Sequence, residues 1–239
     1  MTDHKIVSED EWVEARKKLL TREKELTHLQ EKIAEERRAL PWVKVTKNYV
    51  FETPQGKKTL SDLFDGRSQL IVYHFMFSPS WEAGCTGCSF LSDHVDGANQ
   101  HLMHHDVTYV AVSRGPLEKL LAYKKRMGWK FPWVSSEGSD FNYDYHVSFT
   151  KDEVAAKKAF YNFEMSDIGN MEDLHGTSVF IKDKDGTIYH TYSAYARGDE
   201  RTLATYAWLD ITPLGRNETG AMSWIKRHDE YEDTPKAAE

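Results

Sequence analysis

The chain has 239 residues, 40 % of them hydrophobic and 13 % aromatic, with a formal charge of −7. That supports a real core in one domain with an extra element, or in two small domains. It holds no Lys/Arg block that would suit nucleic acid, no apolar run near the roughly 20 residues that span a bilayer, and a start, Met1-Thr2-Asp3-His4-Lys5, that leads into charged helix and so predicts a cytoplasmic setting without membrane contact.

Ser8-Glu9-Asp10-Glu11 reads as a capping box. The helix it opens runs to about Leu40, where Pro41 stops it. Trp12, Leu19, Leu26, Ile33 and Leu40 fall every seventh residue, so the helix carries one apolar stripe on an otherwise charged surface. At 1.5 Å per residue this is an arm of roughly 48 Å, longer than a small domain is wide. The stripe predicts contact with a second subunit, hence a homodimer; the alternative is a long helix wrapped on its own domain.

From Tyr49 the pattern changes. Residues 49–53 read as a strand, 54–57 as a turn before a short second strand, and 60–64 as a short helix. Ser68–Phe77 reads as a buried strand, and Cys85 to about His104 as a helix with Cys88, Leu91, Val95, Ala98 and Leu102 inward. Asp106–Val112 is a strand, Ser113 caps a helix that runs to Met127, and Phe131–Val134 is a short strand. Residues 137–174 show no clear pattern. Thr177–Lys182 and Thr187–Tyr192 form a hairpin around Lys184-Asp185-Gly186, and Glu200–Trp208 closes with a helix. The expected division is a helical arm over 1–44, a folded domain over 45–215, and a loosely held charged tail over 216–239.

The only cysteines are Cys85 and Cys88, in Gly84-Cys85-Thr86-Gly87-Cys88, between a strand and a helix. A helix start offers backbone N–H groups and partial positive charge, and both favour a thiolate at Cys85. Cys88 then stands within reach to close a disulfide. Structural zinc would need two further ligands, and no other cysteine exists to supply them.

The order strand, C-x-x-C helix, strand, helix, hairpin, helix resembles a thioredoxin fold, an α/β three-layer sandwich. Arg38-Ala39-Leu40-Pro41-Trp42-Val43, His74-Phe75-Met76-Phe77, Val112-Ser113-Arg114-Gly115-Pro116-Leu117, Arg126-Met127-Gly128-Trp129-Lys130-Phe131-Pro132-Trp133 and His190 through Gly198 extend the likeness. On these segments the chain resembles a bacterial thioredoxin-like family of predicted dithiol–disulfide oxidoreductases, long catalogued as a domain of unknown function.

The resemblance implies thiol–disulfide exchange on a disulfide or thiol substrate, with Cys85 attacking and Cys88 resolving and no cofactor required. It aligns His74 with the buried acid that thioredoxins carry beneath their cysteines, so His74 is expected to take the proton from Cys88. It puts Thr177 where thioredoxins have a cis-proline, with Thr177, Trp81 and Arg197 as candidate substrate contacts. Arg197 is otherwise expected to pair with Asp140 or Asp199. Cys85, Cys88 and His175 also make a soft ligand set suited to copper, partly similar to copper chaperones of the Sco type. A copper-binding protein or oxidase is therefore an alternative, and a non-catalytic interaction module is a second. The peroxiredoxin pattern P-x-x-x-T/S-x-x-C fails, because counting from Pro79 it meets Ala83 and Thr86.

Overall fold

The computed structural model describes residues 4–232, in two units that divide between Pro41 and Trp42. The first unit is α1 (Glu9–Arg38). Its capping box forms: Glu11 N–H donates to Ser8 Oγ at 3.3 Å, and Ser8 N–H donates to the Glu11 carboxylate at 3.1 Å. Arg37 and Arg38 in the last turn complement the helix dipole. No residue of α1 is buried, and the seven-spaced stripe lies open along its length. No helix among the described residues is long and apolar enough to cross a membrane.

In the second unit the strands are β1 (Val43–Lys44), β2 (Val50–Thr53), β3 (Gly56–Thr59), β4 (Gln69–His74), β5 (Val107–Ser113), β6 (Trp133–Ser135), β7 (Ala159–Tyr161), β8 (Glu164–Ser166), β9 (Gly176–Lys182) and β10 (Ile188–Tyr195). Eight form one sheet in the order β1-β10-β9-β4-β5-β6-β2-β3, while β7 and β8 pair separately. Since β1 pairs with β10, residues 43–44 belong to the sheet and not to the arm.

β4, β5 and β6 run parallel, β9 lies antiparallel to β4, and β10 antiparallel to β9. With C-x-x-C opening the first helix after β4, this is the thioredoxin-like arrangement that the resemblance implied. The period of two along β4 and β5 sorts the core. Tyr73, Tyr109 and Ala111 face one cluster with Cys88, Leu120, Tyr123 and Trp133. Leu70, Val72, Val110 and Val112 face the other, with Phe51, Phe64, Phe141 and Phe180.

Several expected elements change. The helix expected over Cys85–His104 splits into α2 (Thr86–Ser92) and α3 (Val95–His104). At the break Asp93 accepts from Trp129 Nε1 at 2.8 Å, and His94 bonds Thr205 Oγ1 at 2.7 Å. The break resets the helical phase, so Cys88, Leu91 and Val95 are buried but Ala98 is exposed. Ser113 is no helix cap. It ends β5, donating to Phe75 O at 2.6 Å and accepting from Trp133 Nε1 at 3.0 Å. The next helix, α4 (Leu117–Arg126), starts after Pro116.

The unpatterned stretch holds α5 (Phe141–Asp144), α6 (Lys151–Ala155) and the β7–β8 hairpin. Asp173 ties it down. This buried carboxylate accepts from the Ser78 and Ser148 hydroxyls and from Arg114 at 2.7 and 2.8 Å. Instead of one closing helix there is a 3-10 segment, Ala196–Thr202, and then α7 (Ala204–Leu209).

The expected loose tail is the largest correction. Trp224 packs edge-on against Phe90 of α2 at 5.8 Å. Arg126 holds Asp229 at 2.7 Å, and His228 meets Asp93 at 2.7 Å. Apolar side chains within a charged stretch give it a surface to bury. Residues 233–239 of the expected tail lie outside the described residues.

Candidate functional site

The chain enters the C-x-x-C turn under close constraint. Gly84 is buried, and a Cβ there would lie 2.6 Å from the Phe75 ring and 2.9 Å from Tyr123. Only glycine lets the backbone press that close. Cys85 N–H then donates to Met76 O at 3.1 Å, and Cys85 becomes the N-cap of α2.

The two cysteines, both free, differ in environment. Cys85 is half-buried and its pKa is lowered to about 6. The main cause is the Cys88 thiol, which donates to its sulfur. The backbone N–H groups of Cys88 and Gly87 and the nearby His175 add to this against the cost of burial. Cys88 is 2 % exposed, and burial pushes its thiol well above the ordinary value. Met76 N–H reaches its sulfur at 3.5 Å, and the Tyr73 hydroxyl also bonds it.

Both line a cavity of about 580 Å³, walled by β4, α2, the 3-10 segment after β10, and residues 218–222. His175 and Arg197 line it too. His175 Nε2–H donates to Ala196 O at 3.1 Å, and its own carbonyl accepts from Tyr161 at 2.9 Å. Among the described residues no group of three or more His, Cys, Asp or Glu side chains is placed to hold a metal ion, so Cys85, Cys88 and His175 share a cavity without forming a ligand set.

His74 is corrected. Side chains alternate along β4, and Tyr73 takes the Cys88 face. His74 turns to the opposite face, stacked on Tyr145 at 6.0 Å and bonded to Ser178 Oγ at 2.9 Å. Burial lowers its pKa to about 3, so it stays neutral in the core. Thr177 lies on β9, paired to Tyr73 and Ala194, and all peptide bonds among the described residues are trans. Its hydroxyl bonds Asp199 and does not line the cavity. Trp81 packs against the core and is not in the cavity wall. Arg197 pairs with Glu200 at 2.8 Å, while Asp140 is taken by Lys47 at 2.7 Å.

The sequence offers Asp199 only as an ion-pair partner for Arg197. It is 4 % exposed, lines the cavity, and leaves Oδ2 without a hydrogen-bond partner. Burial raises its pKa from 3.8 to about 6, against the Thr177 hydrogen bond and the nearby His175 and Arg201. The folded chain therefore keeps this proton to higher pH than the unfolded chain. That contribution to stability is full below the unfolded value and is lost as pH rises through the folded one. Relative to Asp199→Asn, the wild type should lose about 2–3 kcal/mol of unfolding free energy between about pH 4 and pH 7. Denaturant unfolding of both proteins at the two pH values checks this; an equal pH dependence refutes it.

Among solved structures, the chain is similar to Peroxidoxin BcpB from Mycobacterium tuberculosis, at 13 % identity over 70 % of this chain and 95 % of that one, with a TM-score of 0.46. It is similar to a serine mutant of PrxQ from Xylella fastidiosa, at 12 % identity over 70 % and 94 %, with a TM-score of 0.43. It is also similar to the mitochondrial 2-Cys peroxiredoxin from Plasmodium falciparum, at 16 % identity over 68 % and 88 %, with a TM-score of 0.40. Comparison with curated proteins finds no match. One family model, described as a bacterial protein of unknown function (DUF899), matches residues 1–231, and the chain belongs to that family.

Proposed function

We propose that the protein is a thiol–disulfide oxidoreductase with Cys85 attacking and Cys88 resolving. The observation that carries this is the asymmetry of the pair: a half-buried Cys85 whose thiolate is held by three donors, against a Cys88 thiol kept neutral by burial. The Cys85 thiolate attacks one sulfur of a substrate disulfide. A bond forms between Cys85 and that sulfur, the substrate S–S bond breaks, and the leaving thiolate takes a proton from solvent. Cys88 then gives up its proton and attacks Cys85. The protein disulfide closes, the second substrate thiol leaves, and two electrons have passed from the dithiol to the substrate.

The proton of Cys88 needs an acceptor in the cavity. Asp199 takes the role first expected of His74: it shares the cavity wall with both cysteines and keeps one carboxylate oxygen free. Tyr73, bonded to Cys88, holds that sulfur during the second attack.

Alkylation of the reduced protein by iodoacetamide tests the nucleophile. Its rate follows the thiolate fraction, so it should rise through about pH 6 and level off by about pH 7.5, whereas an ordinary thiol keeps gaining through about pH 8.5. A profile centred on the ordinary value removes the reading.

A further inference from the structure

The C-terminal segment forms a wall of the cysteine cavity. Glu218 to Met222 line it together with residues of β4 and the 3-10 segment. Glu218 fixes this stretch with one carboxylate oxygen, which accepts from Met222 N–H at 3.1 Å, Trp224 Nε1 at 3.0 Å and the Tyr206 hydroxyl at 3.3 Å. Further on, Arg227 clamps the carbonyl of Gly84, the residue before Cys85, at 2.8 and 3.2 Å. Between these anchors Met222 lies over the C-x-x-C turn. Its methyl sits 3.2 Å from where a Cβ on Gly87 would be, and Cys85 Sγ lies 4.0 Å from the same point.

A polypeptide disulfide brings its backbone with it, and that backbone needs a strand edge to pair with. The strand beside the cysteines has no open edge. Gly176 is paired to His74 on one side and Tyr195 on the other, and Thr177 to Tyr73 and Ala194. An extended chain therefore has no free ladder to join next to Cys85. What remains is a cavity of about 580 Å³, within the range of small-molecule sites. Leu91, Ala196, Leu203, Ala221 and Met222 supply apolar wall. Of its charged members, Glu200 is bonded by Arg197 and Arg216, and Asp199 keeps one oxygen free beside the cysteines.

We propose that the substrate is a low-molecular-weight disulfide with an uncharged, largely apolar body, and that residues 218–222 select it by excluding polypeptide disulfides. This rests on the exchange reading above and narrows its substrate. The balance is unchanged: one substrate S–S bond is reduced to two thiols, and Cys85 and Cys88 are oxidised to a disulfide.

The test is single-turnover oxidation of the reduced full-length chain by bis(2-hydroxyethyl) disulfide and, separately, by insulin. Each rate is divided by that of the same disulfide with dithiothreitol, which removes intrinsic reactivity. The normalised rate should be about 100-fold greater for the small disulfide. In Met222→Ala/Arg227→Ala the ratio should fall by about tenfold, with the gain on the insulin side. Equal normalised rates in the wild type overturn the substrate assignment and leave exchange intact. Reaction with neither disulfide, while iodoacetamide still alkylates Cys85, overturns the exchange reading itself.

Discussion

Cys85→Ser should abolish disulfide reduction, whereas Cys88→Ser should leave the first attack intact and stop the reaction halfway. The two thiols are chemically unequal before any substrate arrives. Three donors lower Cys85, while burial raises Cys88 against the lowering hydrogen bonds from Tyr73 and Met76. Removing Cys85 removes the only sulfur poised as thiolate near neutral pH, and turnover should fall by about 10³-fold or more. Without Cys88 the mixed disulfide at Cys85 has no resolving thiol and accumulates. Intact mass should show Cys88→Ser carrying half of the substrate disulfide. The choice of replacement also matters, because the largest cause of the lowered Cys85 pKa is the Cys88 S–H donor. Serine keeps a donor at that point and alanine does not. Cys88→Ala should therefore move the alkylation midpoint of Cys85 upward from about 6, and Cys88→Ser should move it less. Full turnover in Cys85→Ser would remove Cys85 from the nucleophile's place, and the same midpoint in Cys88→Ala as in the wild type would remove the Cys88 thiol as the cause of its lowered pKa.

Most of the sheet was legible because β4, β5, β9 and β10 are rich in β-branched and aromatic residues and are bounded by clear turns. The C-x-x-C pair was legible because its chemistry is set by spacing and local context. His74 was misread by one residue. Likeness along β4 fixes a strand position but not the face that Cys88 occupies, and alternation gives that face to Tyr73. Asp199 was hidden because a carboxylate in a charged run reads as solvated. Its burial depends on the turn after β10, which no local pattern announces. The strap over 218–222 was obscured by net composition: Glu218, Arg227 and Asp229 made the stretch look like tail, while Met222, Trp224 and Ile225 carried the contrary signal. Residues 137–174 resisted because their order comes from Asp173, whose partners Ser78 and Arg114 are far away in sequence.

Arg114→Met should destabilise the protein by about 3–5 kcal/mol, because it leaves Asp173 charged and buried without its cation. Arg114 holds both carboxylate oxygens, at 2.7 and 2.8 Å, and the Asp173 side chain is only 5 % exposed. The remaining donors, the Ser78 and Ser148 hydroxyls, are neutral and do not balance the charge. Arg114 also donates to the Tyr143 hydroxyl at 2.7 Å, so part of the loss is the contact with α5. The pair is also close along the chain to the cavity residues. Ser78 opens the loop that leads to Cys85, and Asp173 lies two residues before His175. The double variant Arg114→Met/Asp173→Leu separates charge from packing. It removes both members of the pair and should recover a large part of the loss, because an ion pair replaced by apolar groups costs far less than a lone buried carboxylate. Urea unfolding of the full chain and the three variants, including Asp173→Leu alone, completes the cycle. A loss below about 1 kcal/mol in Arg114→Met would place this pair among ordinary surface bridges, and the order of residues 137–174 would then rest on the aromatic packing of Phe141, Tyr145 and Phe149.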